Sequence, residues 1–291
     1  MKLLAKFNLI LTLVFGAGLA TAAFLSHQFL QDDAREEVVR QARLMMEAMR
    51  SARDYTSKQV KPLLVTQQEH QKSFLPQTVP AFAATENFNY LKANYPDYSY
   101  KEATLNPTNL RDRAVDWETD VINTFRNHSG SKELIGERDT PTGRSLYLAR
   151  PMRADAPCLE CHSTPRAAPP SLLRHYGANN GFGWQANEVV AAQIVSVPMA
   201  VPIRMADHAF QTLVVDLSIV FLATLVLLDL MLIFFVVRPL KKISMAADQI
   251  SMGQMDMPEL PERGRDEIAV LAGSFNRMRR SLERAMKMLG E

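Results

Sequence analysis

The sequence predicts an α+β fold: two transmembrane helices flanking an exported mixed helix–strand domain, followed by a cytoplasmic helical coiled coil. Three observations predict it. Two apolar runs, 7–30 and 210–237, are each long enough to cross a hydrocarbon core of about 30 Å. Between them, helically spaced apolar residues give way to short alternating runs set between Gly, Pro and Asn. Beyond the second run, apolar residues recur at the spacing of two successive coiled-coil seams.

Composition removes several function classes. The chain holds 33 basic and 31 acidic side chains in 291 residues, so it lacks the basic footprint that nucleic-acid binding needs. A hydrophobic share of 47% with 22% charged residues excludes a largely disordered chain. A mean hydropathy of -0.11 is too polar for a multi-span transporter. Two cysteines can form neither a disulfide-rich scaffold nor a four-cysteine zinc site.

Charge asymmetry orients the spans. Lys2 and Lys6 in segment 1–6 precede the first run, and Arg238, Lys241 and Lys242 follow the second. Both termini are therefore expected in the cytoplasm of a bacterial inner membrane, bathed by its lipids, with 31–209 in the periplasm. Ala20-Thr21-Ala22 also suits a cleavable signal, but the apolar run continues to Leu25, which favours an uncleaved anchor. In the second run Asp229 lies deep in the hydrocarbon, where a carboxylate needs a polar partner, across a helix dimer, or must snorkel to the cytoplasmic face.

In the exported domain, Val38, Ala42, Met45, Met49 and Ala52 mark one apolar face of a helix over 33–60, ended near Pro62. A second helix is expected over 84–92, a loop-rich segment over 95–109, and a third helix over 111–126. Segments 133–138, 144–151 and 189–198 read as strands. Helices first and strands after predict an antiparallel sheet with helices on one face.

The chemistry concentrates in Cys158-Leu-Glu-Cys161-His162, which holds both cysteines of the chain. Two thiols three positions apart can reach the two vinyl groups of one porphyrin, and the adjacent imidazole can bind its iron. An exported location suits covalent haem c. Competing readings are a CxxC disulfide, a thioredoxin-like pair, which would want a βαβ context, and zinc, which needs a fourth ligand from His70, His128, His175 or His208. Met45, Met46 and Met49 are alternative candidates for a sixth iron ligand, with core packing as their other role. Arg50, Arg53 and Tyr55 are candidates for the haem propionates, against a solvated helix face.

Beyond the CxxCH, several spaced stretches carry a resemblance: Arg53-Asp-Tyr-Thr56 with Val60-Lys-Pro62, Asn106-Pro-Thr-Asn109, Asp116-Trp117-Glu118, Tyr147-Leu-Ala-Arg-Pro151 and Tyr176-Gly-Ala-Asn-Asn-Gly-Phe-Gly-Trp184. Residues 35–205 resemble the PAS-like, c-haem-binding periplasmic sensor domain long catalogued as a domain of unknown function. The resemblance implies thioether links at Cys158 and Cys161, His162 as axial ligand, and a redox- or gas-sensing role. It leaves the sixth ligand open.

In segment 238–291 the two seams are Leu240, Ile243, Ala247, Ile250 and Ile268, Leu271, Phe275, Met278, Leu282, Ala285, Leu289, joined by a proline-containing connector. Short helices of this kind are marginal alone, so a dimeric four-helix bundle is expected. Arg238-Pro239-Leu240, Gly253, Asp266-Glu267 and Phe275-Asn276-Arg277-Met278 are similar to a HAMP signal-transmission domain. The expectation is a non-enzymatic, membrane-bound haem c sensor of redox state or a small gas. It would be a homodimer through HAMP and pass its signal to a separate cytoplasmic kinase or other output protein. The alternatives are a membrane-anchored electron-transfer cytochrome and a structural two-helix adaptor.

Overall fold

A computed structural model of the chain describes residues 3–65, 73–254, 256–262 and 264–289. Lys2, His70 and the side chain of Leu289, all named above, lie outside the described residues. The chain divides into two units, Gln28–Ala209 and Met1–His27 with Phe210–Glu291.

The first unit is built on a four-stranded antiparallel sheet. Its strands are β1 (Ser99–Thr104), β2 (Leu134–Thr140), β3 (Gly143–Arg153) and β4 (Val189–Pro198), in the spatial order β1-β4-β3-β2. β2 and β3 form a hairpin that turns at Gly143, whose φ of 116° suits glycine. The apolar run Val-Val-Ala-Ala-Gln-Ile-Val-Ser-Val makes β4 a central strand, buried along nearly its whole length.

Because β4 is apolar on both parities, both sheet faces need a cover. Helix α1 (Leu3–Tyr55) and helix α2 (Pro80–Lys92) cover one, packing Val38, Ala42, Met46, Met49 and Phe88 on Leu146, Leu148, Val195 and Val197. Helix α3 (Asp116–Asn127) covers the other, packing Val121, Ile122 and Phe125 on Ala103, Ala149, Ala192 and Ile194. The expected one-sided cover is thus corrected to a two-sided one.

Local differences from the sequence reading have physical causes. β1 lies inside the segment read as loop-rich, because its six residues are hidden among turn formers and its ladder partner is the distant β4. α2 begins at Pro80, where proline occupies the first turn without losing a hydrogen bond. α3 begins at Asp116, where Glu118 folds back to accept from the Val115 backbone N–H at 2.9 Å. Two short helices, α4 (Ala156–His162) and α5 (Pro170–Tyr176), join β3 to β4. On α1 the buried face includes Met46, fully buried, while Met45 is half-buried beside it.

The second unit holds two helical stretches long and apolar enough to cross a membrane: the start of α1, and helix α6 (Ala200–Met231) with the π-helical turn Leu232–Val237. Asp229 accepts a 3.0 Å hydrogen bond from the Asn8 side-chain amide, so its partner is the first span of the same chain. Phe15 and Phe221 meet at 5.5 Å, and His27 meets Phe210 edge-on at 5.0 Å.

Helix α7 (Arg238–Ser251) packs on helix α8 (Glu267–Leu289) through Ala246, Ile250 and Phe275. The α7 seam is Ile243, Ala246 and Ile250, one position away from the expected Ala247, which is exposed. Asn276, 1% exposed, clasps the connector, donating to the Leu260 carbonyl at 2.9 Å and accepting from the Leu260 N–H at 3.0 Å. Arg279 adds a hydrogen bond to the Met257 carbonyl. Leu271, Met278 and Leu282 remain exposed on α8.

The Asn8–Asp229 bond joins the two apolar helices. A double-mutant cycle of Asn8→Ala and Asp229→Ala, read by unfolding in detergent micelles, should give a coupling of about 1 kcal/mol. Additive single effects would show that the bond does not join the two spans.

Candidate haem-attachment site

Helix α4 is only seven residues long, and Asp155 starts it, its carboxylate accepting from the Cys158 N–H at 3.1 Å. Pro157 occupies the first turn, where no hydrogen bond is lost. Helical spacing then puts Cys161 and His162 three and four positions after Cys158, on one side of the turn. Both thiols are free and half-buried. Burial pushes both above the ordinary cysteine value, and the Asp155 side chain adds to the effect at Cys158. Both therefore remain protonated near neutral pH.

The floor beneath α4 is the far end of the sheet. Cys158 and Leu159 pack with Met152 and Trp184 around Ala154, Val190 and Ala191. The His162 ring stacks on the Trp184 indole, with centroids 4.0 Å apart and planes 13° apart. The Trp184 N–H donates to the His162 carbonyl at 3.2 Å, and the Gly183 N–H to Ser163 at 3.0 Å.

One hydrogen bond sets the chemistry of His162. Its Nδ1 lies 2.7 Å from the Gly181 carbonyl, which can only accept, so the proton is on Nδ1 and the lone pair on Nε2. Burial pushes His162 below its ordinary value, which the Gly181 contact only partly offsets, so the ring is neutral at neutral pH. A neutral imidazole tied at one nitrogen and open at the other is the state in which histidine binds a metal. Thr108 Oγ1 stands 3.4 Å from the same Nδ1, and Asn106 accepts from the Gly181 N–H at 3.2 Å. Gly181 has φ 83°, and a Cβ there would fall 2.0 Å from Thr108 Oγ1 and 2.9 Å from its Cα. Only glycine fits.

The end of α1 borders the site. Arg53 lies within electrostatic reach of Cys158 and Asp155. Its guanidinium is bonded to Glu102, which also accepts from the Tyr100 hydroxyl at 2.6 Å, and Tyr100 in turn accepts from the Gln193 amide at 3.0 Å. Burial works against the Arg53 charge, but Glu102 outweighs it and holds Arg53 above its ordinary value. Lys61 reaches Glu160 at 3.9 Å, beside Cys161.

Of the residues singled out from sequence, Cys158, Cys161 and His162 share one turn and Arg53 stands nearby. Tyr55 is 63% exposed. Met45, Met46 and Met49 pack in the core with Phe88 and Leu148, whereas the methionine packed with Cys158 is Met152. Among the described residues no group of three or more His, Cys, Asp or Glu converges to hold a metal ion, and His70, one fourth ligand of the zinc reading, lies outside them. Sequence reasoning missed Thr108, Gly181 and Trp184 as site residues. The dense glycine run 177–183 was their available signal. The residues present fit a covalently attached porphyrin: two protonated thiols and an imidazole with its Nε2 lone pair free.

Gly181→Ala should cost about 1–3 kcal/mol of stability from backbone strain alone, and should displace the His162 ring. Thermal unfolding and the His162 ring proton shifts would measure this. An unchanged Nδ1–H resonance would show that Gly181 does not set the tautomer.

Two family models match the chain. One, described as Tll0287-like, matches residues 31–198, and one for the HAMP domain matches residues 231–284. Among solved structures, the crystal structure of the cyanobacterial heme-protein Tll0287 is similar at 12% identity with a TM-score of 0.43, over 56% of this chain and 95% of that one. No curated protein matches. The first family model covers more than half of the sequence, and the chain belongs to the Tll0287-like family, with a HAMP domain following its second apolar helix.

Proposed function

We propose that this chain is a membrane-bound c-type haem sensor whose periplasmic domain passes a redox or small-gas signal to the cytoplasm through its HAMP domain. The observation that carries the reading is His162, neutral and open at Nε2, on the same helical turn as two free thiols. Family membership supports a haem-binding role for that turn. Attachment needs no oxidant: each thiol adds across a vinyl double bond, its sulfur bonding one carbon and its proton going to the other. The bound haem supplies an iron that changes oxidation state or binds a small gas. The protein supplies the rest. His162 offers its Nε2 lone pair, Trp184 and Gly181 hold the ring, and Arg53 brings positive charge to the edge of the site.

The flanking charges Lys6, Arg238, Lys241 and Lys242 support cytoplasmic termini. The exposed stripe Leu271, Met278 and Leu282 on α8 supports a homodimer, because a second copy would bury it as a coiled-coil seam. The output is a cytoplasmic partner, a kinase or similar protein, that docks on the bundle. α1 carries both the first apolar run and the face packed on the sensor sheet, so a change of iron ligation that shifts this helix acts on a membrane span.

Protein made with cytochrome c maturation machinery should retain haem through denaturing electrophoresis and give the pyridine haemochrome spectrum of a double thioether. The Cys158→Ala/Cys161→Ala variant should lose both signals. Haem extracted freely from the wild type would overturn covalent attachment.

Transmission has its own readout. Bismaleimide crosslinking of Leu282→Cys in the haem-loaded dimer should differ by a few-fold between oxidised and reduced protein. Equal yields with full haem loading would remove the relay and leave a membrane-anchored electron carrier.

A further inference from the structure

The first unit contains a second cleft, of about 590 Å³, bordered by α1, β3 and β4 and lined by none of Cys158, Cys161 and His162. Four cations line it and no carboxylate does: Arg50 from α1, Lys132 ahead of β2, and Arg150 and Arg153 from β3. Gln193 of β4 contributes to its lining, and Gly130 opens the loop on its rim, with no atom within 4 Å of where a Cβ would stand.

The four charges are held differently. Arg150 is compensated. Burial works against its charge, but Glu47 and Glu133 outweigh this, Glu133 at 3.1 Å. Arg153 is aimed by neutral acceptors, donating to the Ser129 carbonyl at 2.8 Å and the Asn187 carbonyl at 3.2 Å. Arg50 and Lys132 have no hydrogen bond or ion pair among the described residues, although Glu47 and Asp54 feel the Arg50 charge along their shared helix. Three cations thus face one cleft without a carboxylate bonded to any of them. Like charges lining one cleft repel, and an anion relieves the repulsion.

We propose that this cleft is a binding site for a carboxylate ligand carrying two or more carboxylate groups. The volume lies in the range of small-molecule sites, about 300–1,000 Å³. A single inorganic phosphate would occupy little of it, whereas a polycarboxylate spans cations that come from three elements. Two guanidinium groups present the planar forks that match carboxylate oxygens. The same chemistry has two sources: a free small polycarboxylate, or the two propionates of the haem proposed at α4. Only the second source rests on the haem reading.

Calorimetric titration with citrate, on the full-length protein in detergent, separates them. The titration is run on the haem-loaded wild type and on the haem-free Cys158→Ser/Cys161→Ser variant. Binding to both forms assigns the cleft to a free polycarboxylate. Binding to the haem-free form alone assigns it to the propionates. No binding to either overturns the proposal, and the haem-free arm does so whether or not haem attachment holds. Arg50→Gln/Lys132→Gln changes two exposed side chains with no structural partner, so the fold is retained. Citrate affinity should fall about tenfold or more in the form that binds it. Unchanged affinity would place citrate elsewhere and overturn the assignment.

Discussion

The bond from the half-buried Arg53 to the buried Glu102 is the constraint around which the sensor unit is arranged. It ties α1 to β1 at the one place where the covered sheet face turns polar. The register shows how this happens. Tyr100, Val195 and Leu148 form one row across three strands, Glu102, Gln193 and Arg150 the next, and Thr104, Ala191 and Met152 the third. The first row belongs to the apolar core under α1. In the third row, Ala191 and Met152 form the floor on which Cys158 rests. The polar row stands between them. Removing one partner of such a buried pair leaves an uncompensated charge, at a cost of about 3–5 kcal/mol. The Tyr100 hydroxyl and the Gln193 amide extend the pair into a fully bonded chain, which makes the polar row tolerable inside a sheet.

What the sequence revealed depended on distance along the chain. Cys158, Cys161 and His162 were legible because a single helical turn contains them. What orients His162 was not, because Gly181 is 19 and Thr108 is 54 residues away. Trp184 appeared in a motif without a role. The polar row was invisible for the same reason: Glu102 is unremarkable in a short strand until its register with Gln193 is known. β1 itself escaped notice because its stabilising partner is almost a hundred residues downstream. Helical periodicity on α1 identified the right side of the helix, yet it placed Met46 beside the face that in fact buries it. A helix packed on a sheet buries a broader stripe than a simple 3,4 pattern marks.

The cytoplasmic helices illustrate the same limit. Their apolar spacing was legible, but each helix carries more than one apolar stripe, and spacing alone does not say which stripe meets which surface. Ala246 rather than Ala247 faces α8, while Leu271, Met278 and Leu282 stay exposed. The division of labour comes from Asn276 and Arg279, whose bonds to the connector backbone at Leu260 and Met257 fix one side of α8 within the chain. The remaining stripe stays exposed along α8.

The polar row also relates the cleft to α4. Arg50 and Arg53 are one helical turn apart on α1, the first lining the cleft and the second bonded to Glu102 within reach of Cys158. Gln193 belongs to both neighbourhoods, lining the cleft while its amide donates to Tyr100. Arg50 is exposed, so solvent and salt screen the coupling between an anion seated there and α4. Glu102 satisfies Arg53 at the sheet, whereas the cleft cations Arg50, Lys132 and Arg153 have no carboxylate bonded to them among the described residues.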